Sequence, residues 1–188
     1  MPEDHPSRLA RLRTRFSLLD SDGDGRLQVE DFGLLAQRVI DALAASPARF
    51  PRPDPHLISA KATDLLQGCR IYWQGLVTMT GSGDGVVTFE DYAAAIPDDA
   101  HFDHYAQPYV RALASLADWN EDGQVERADF LACMTAIGFA EPHVERIYAE
   151  LSFDGAIATE AWKAAIRDFY LSATADTPGQ LLVGHRSA

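Results

Sequence analysis

The sequence predicts an all-α fold: four helix-loop-helix units in two pairs, with short antiparallel β pairing between the loops of each pair. Three observations carry this. A frame recurs four times, with a glycine (Gly25, Gly85, Gly123, Gly155), an apolar residue shortly after it (Leu27, Val87, Val125, Ile157) and then an aromatic (Phe32, Tyr92, Phe130, Trp162). Such an internal repeat has to be recognised before any fold is assigned. Each frame is flanked on both sides by apolar residues at helical spacings of three and four. Finally, the apolar residues inside the frames match in pairs, Leu27 with Val87 and Val125 with Ile157, as neighbouring short strands would.

The elements follow in order. Leu9, Leu12, Phe16 and Leu19 form one face of a helix over 7–19, with Ser7 as its N-cap. After the first loop, Phe32, Leu35, Ala36, Val39, Ile40 and Leu43 continue the period to about Ala45. Four prolines within 46–55 exclude a helix there, and the next one starts near His56. Its face, Ile58, Ala62, Leu65, Cys69, Tyr72 and Leu76, reaches almost to Thr78 and places Cys69 on the buried side. A short helix over 89–96 ends at Pro97; after a polar stretch over 98–104, the helix carrying Tyr105, Tyr109, Leu113 and Leu116 becomes regular near Pro108. Phe130, Leu131, Met134 and Ile137 mark the following helix, which Gly138 ends. Pro142 opens a helix with Val144, Ile147, Tyr148 and Leu151, and Trp162, Ile166, Phe169 and Tyr170 define the last.

The loops carry the chemistry. In residues 20–31, DSDGDGRLQVED, Asp20, Asp22 and Asp24 stand at positions 1, 3 and 5, the Arg26 carbonyl at 7, Gln28 at 9 and Asp31 at 12. This is the EF-hand spacing: a hard dication takes six to eight oxygens, so the chain must curl around it, and a glycine at position 6 permits the curl. Residues 118–129 repeat it with Asp118, Asn120, Asp122, the Gln124 carbonyl, Glu126 at position 9 and Asp129. The second loop, 80–91, keeps only Asp84 and Asp91 as carboxylates at ligand positions, with Thr80 and Ser82 at 1 and 3. The fourth, 150–161, offers Glu150, Ser152 and Asp154 but has Ala158 and Ala161 at 9 and 12. Calcium is therefore expected in the first and third loops, with the others kept as pairing partners. Asp at position 12, where a bidentate Glu is usual, lowers calcium coordination and favours competition from Mg2+.

Through DSDGDGRLQVEDF, DWNEDGQVERADF and the longer connection inside the first pair, the chain resembles the calerythrin and sarcoplasmic calcium-binding protein family over about residues 8–172. The resemblance implies a compact four-hand calcium buffer or carrier in which one or two loops have lost their ligands. Ala161 departs from the pattern, so a fourth site is not carried over.

Composition bounds the rest. A net charge of −12, from 28 acidic against 16 basic residues, makes nucleic acid and anionic membrane poor partners and metal ions good ones. No segment has the length of apolar chain that spans a bilayer, and no secretory leader is recognised, which reads as a cytoplasmic protein. Cys69 and Cys133 read as free thiols, His101 and His104 as surface residues. No nucleophile or phosphate-loop motif supports an enzyme. The expected organisation is a first pair over 1–97, a second over 98–173 and a tail over 174–188, for which two readings stand: a disordered end, or a segment folded into the groove between the pairs. A calcium sensor exposing an apolar groove to a target protein is the alternative; with three methionines in all, the sequence offers little of the Met-rich surface such a groove uses.

Overall fold

The computed structural model describes residues 8–47, 53–95 and 98–171. Four helix-loop-helix units follow one another: α1 (Arg8–Leu19) with α2 (Val29–Ala44), α3 (Pro55–Thr80) with α4 (Phe89–Ala94), a helical run ending in α6 (Gln107–Ala117) with α7 (Arg127–Ile137), and α8 (Glu141–Leu151) with α9 (Thr159–Leu171). The loops pair as expected. Leu27 and Val87 exchange two backbone hydrogen bonds of 2.9 and 3.0 Å, and β1 (Gln124–Glu126) lies antiparallel to β2 (Ala156–Ala158) with Val125 opposite Ile157. The Ser7 cap, the end of the helix at Ile96 and Pro97, and the tail over 174–188 lie outside the described residues.

Local chemistry accounts for the helix ends. Pro55 occupies the first turn of α3, where its missing N–H is not needed, and the Asp54 carboxylate accepts from the His56 N–H at 2.8 Å. At the other end Gly81 takes φ 71°, and its N–H returns to the Val77 carbonyl. The sequence places an irregular polar stretch before Pro108, whereas the structure is helical there from Asp99. A short α5 (Asp99–His101) runs into a π-helical turn (Phe102–Ala106) and then α6. The wide turn explains how: the Gln107 N–H reaches five residues back to Phe102, giving room for a proline ring that would clash in a regular helix.

One buried cluster runs through all four units. The four apolar loop residues are at 0% exposure, and the aromatics that follow each loop are buried as well. Burial of each such aromatic contributes on the order of 2–3 kcal/mol. Phe130 and Trp162 meet edge to face at 5.3 Å, joining the third and fourth units, while Phe32 packs on Tyr72 and Trp73, joining the first and second. Between the two pairs, α3 lies along α6 and α2 along α7. Tyr72 stacks on Tyr109, and Gly68 lets the helices close: a Cβ there would stand 2.8 Å from the Tyr109 Cα. Cys69 and Cys133 are buried and not joined in a disulfide, and burial pushes the Cys69 thiol up to about 12. No helix among the described residues is long and apolar enough to cross a membrane.

Candidate metal centre

The end of α1 delivers Asp20, which is 6% exposed, to the start of the first loop. Its two carboxylate oxygens accept from the Gly23 N–H (2.8 Å) and the Gly25 N–H (3.1 Å), drawing the chain into a tight curl. Gly23 and Gly25 have φ 78° and 84°, a backbone shape a side chain would strain. Asp22 accepts from the Asp24 N–H, and Asp24 from the Arg26 N–H. One oxygen from each of Asp20, Asp22 and Asp24 thereby falls within 4.8 Å of the other two, a convergence seen nowhere else among the described residues. Asp31 closes the far side from the first turn of α2. It accepts from Ser21 (2.7 Å), Asp22 (3.3 Å) and Gln28 (2.8 Å), so the position-12 carboxylate spans the loop from exit to entrance.

The third loop repeats the plan. Asp118 accepts from the Asp122 and Gly123 N–H groups at 3.1 Å each, and Asp122 from the Gln124 N–H at 2.9 Å. Its geometry differs in two places. Position 4 is Glu121, which adopts φ 59° without being glycine, and the Asn120 amide donates to Asp122 at 2.9 Å. Asp129 is at 0% exposure. Glu126 keeps one oxygen buried with no hydrogen-bond partner.

The electrostatics are those of crowded acids that backbone donors and one lysine offset only in part. Burial is the chief cause raising the pKa of Asp31, opposed by the backbone donors of Gln28, Ser21 and Asp22. Asp118 is raised by burial and by Asp122, against the Gly123 donor and the charge of Lys61. Glu126 is raised by burial and by Asp122, Asp129 and Asp118 together. Three carboxylates that push up the pKa of a fourth make an all-oxygen, anionic donor set. That is the chemistry a hard dication fits.

The other two loops are spent on themselves. In the second, Thr80 and Ser82 hydrogen-bond each other (2.9 Å), and the exposed Asp91 accepts from the N–H and hydroxyl of Thr88 as an ordinary helix cap. In the fourth, α8 runs on through Glu150 and Leu151, so the residue at loop position 1 is helical. Asp154 and Gly155, at φ 53° and 87°, form a two-residue turn, across which Phe153 and Ala156 bond to each other. That is the geometry of a type I′ hairpin. His101 and His104 flank the ring of Tyr105 and belong to no group of three metal-ligating side chains among the described residues.

Sequence reasoning passed over Lys61. It is 5% exposed and donates to the carbonyls of Ser115 (2.9 Å) and Asp118 (2.8 Å) at the mouth of the third loop. The signal was there: Lys61 stands at helical spacing between Ile58 and Leu65, a cation on an apolar stripe.

No family model matches the chain. Among curated proteins it is similar to calerythrin of Saccharopolyspora erythraea, 25% identical over 169 residues, which are 85% of this chain and 90% of calerythrin. A Streptomyces coelicolor calcium-binding protein, described in terms of calcium-mediated regulation, superposes with a TM-score of 0.69 at 24% identity, covering 87% of this chain and 98% of its own. The sarcoplasmic calcium-binding protein of amphioxus superposes with a TM-score of 0.61 at 18% identity over 96% of this chain and 97% of its own. Likeness to calerythrin along most of both chains, on a fold shared with these calcium-binding proteins, supports the resemblance to the calerythrin and sarcoplasmic calcium-binding proteins.

Proposed function

We propose that the protein is a cytoplasmic calcium buffer or carrier with two working sites, in which Mg2+ competes with Ca2+. The first site is formed by Asp20, Asp22, Asp24, the Arg26 carbonyl and Asp31, the second by Asp118, Asn120, Asp122, the Gln124 carbonyl and Asp129. The observation that carries this reading is the repeated cradle. In both loops the glycine at position 6 donates to the position-1 aspartate at 3.1 Å, and in the first loop the acids at positions 1, 3 and 5 bring an oxygen each within 4.8 Å of one another. Bound there, the dication neutralises acids that otherwise repel one another. The chain's part is to hold the oxygens inward and to keep the two loops paired with their degenerate neighbours.

A buffer needs no target surface. Two apolar cavities lined by residues of both pairs, one against Tyr72, Phe102 and Tyr170 and one against Leu35, Tyr109 and Met134, have about 20 and 30 Å3 of free volume, while the larger opening between α3 and α6, about 440 Å3, is lined by polar residues such as Asp64, Gln67, Asp103, Gln107 and Arg111. The likeness to a Streptomyces coelicolor calcium-binding protein described in terms of calcium-mediated regulation favours a second reading, a sensor that opens an apolar groove. A calcium titration of the full chain separates them. The buffer reading expects two binding events by calorimetry, one removed by Asp20→Ala and the other by Asp118→Ala, and no rise in the fluorescence of an apolar dye on saturation. A calcium-dependent rise in dye fluorescence favours the sensor, and a chain without those two events refutes the sites.

A further inference from the structure

We propose that Lys61 is a positioning residue for the third loop, through which the first half of the chain sets the metal affinity of the second. The inference rests on the reading of residues 118–129 as a metal site. Lys61 belongs to α3, and the Ser115 carbonyl it holds is 54 residues further along the chain. Its ammonium has three protons and meets three acceptors: the carbonyls of Ser115 and Asp118, and the Glu121 carboxylate at 3.3 Å. The two carbonyls close α6, where no further helical N–H reaches them and the helix presents its negative end.

What is held matters for the loop. Asp118 is its position-1 ligand, and Glu121 is the residue that turns the chain at position 4 with φ 59°. Lys61 therefore grips both ends of the short curl over 118–121, which carries Asp118 and Asn120 and leads directly into Asp122. The first loop turns at the same place through Gly23, which needs no support, and its entrance is held by its own exit helix: Arg38 donates to the Ser21 hydroxyl at 2.9 Å, which reaches the Leu19 carbonyl at 3.3 Å. One loop is thus self-contained, and the other is braced from across the molecule.

Charge and position pull in opposite directions here, which makes the inference testable. A cation beside a metal ligand repels the metal, so if Lys61 acted only through its field, removing it would raise affinity. If it positions the loop, removing it lowers affinity. The experiment is a calcium titration of full-length Lys61→Met by calorimetry, with the fluorescence of Trp119 at loop position 2 as a local reporter. The expected result is a fall of about tenfold in third-loop affinity, faster calcium release there by stopped flow, and an unchanged first-loop event. A folded variant with third-loop affinity unchanged or raised overturns the proposal. Should Lys61→Met not fold, Lys61→Gln, which keeps one donor without the charge, is expected to show a smaller fall, and again an unchanged or raised affinity overturns it. If the wild-type chain has no event that Asp118→Ala removes, the third-loop site itself is what fails.

Discussion

In the first loop Asp31 is 2% exposed and reaches across to the Ser21 N–H; in the second, Asp91 stands at the same position, exposed, and turns back to Thr88 of its own helix. The second loop has therefore kept its length and its glycine, φ 74° at Gly85, while its position-1 and position-3 side chains satisfy each other. The fourth has gone further. α8 runs one residue past its position-1 Glu150, and Asp154 and Gly155 make a two-residue hairpin turn where the first and third loops curl. Losing ligands and losing the curl are different events, and only the first is reversed by restoring side chains.

That contrast gives the largest expected effect. Thr80→Asp with Ser82→Asp returns carboxylates to a loop of intact frame, and should add a third calcium event where none was measurable, a gain of about a hundredfold in local affinity. The parallel change in the fourth loop, Ser152→Asp with Ala161→Asp, should add none; calorimetric stoichiometry tells the two apart. An added event in the fourth loop would break the distinction between the loops.

A smaller effect is expected where the first and third loops agree. Both end in Asp rather than Glu, and Asp31→Glu or Asp129→Glu should strengthen calcium over magnesium by about tenfold in the loop concerned, measured as calcium titrations with and without millimolar Mg2+. Equal shifts would mean the two cages are equivalent. A weaker response at Asp129 would show that the brace on the third loop limits how far it can tighten.

The smallest effect is with pH. Burial raises Asp31, Asp118 and Glu126 in the metal-free fold, so the folded chain holds their protons more firmly than the unfolded chain does. As pH falls from neutral through these raised values toward the ordinary carboxylate range near 4, the metal-free protein gains stability from these three groups. The metal-loaded protein loses it over the same window, because protons compete for the ligands. Thermal melts at a series of pH values, with excess calcium and with chelator, should converge as pH drops. Parallel curves would mean the carboxylates do not face the metal.

Much of this was legible before any coordinates. The four frames placed Leu27 opposite Val87 and Val125 opposite Ile157, and the aromatic after each loop was read as a repeat marker and is buried in every case. What escaped notice did so for physical reasons. Pro108 signals a helix start, yet a π-turn lets the helix begin earlier, and no local propensity encodes that choice. The fourth loop kept its glycine in frame, so a count of positions could not see that Asp154 and Gly155 make a hairpin turn.

The amino-acid sequence alone determined the repeat, the two candidate cages and their oxygen chemistry. Spacing along a chain sets which atoms can meet around one centre within a dozen residues. Only the tertiary structure decided how the cages are held. Lys61 and Asp118 are far apart in sequence, and a buried ammonium can choose those carbonyls only after α3 has packed along α6, with Gly68 letting the two backbones meet.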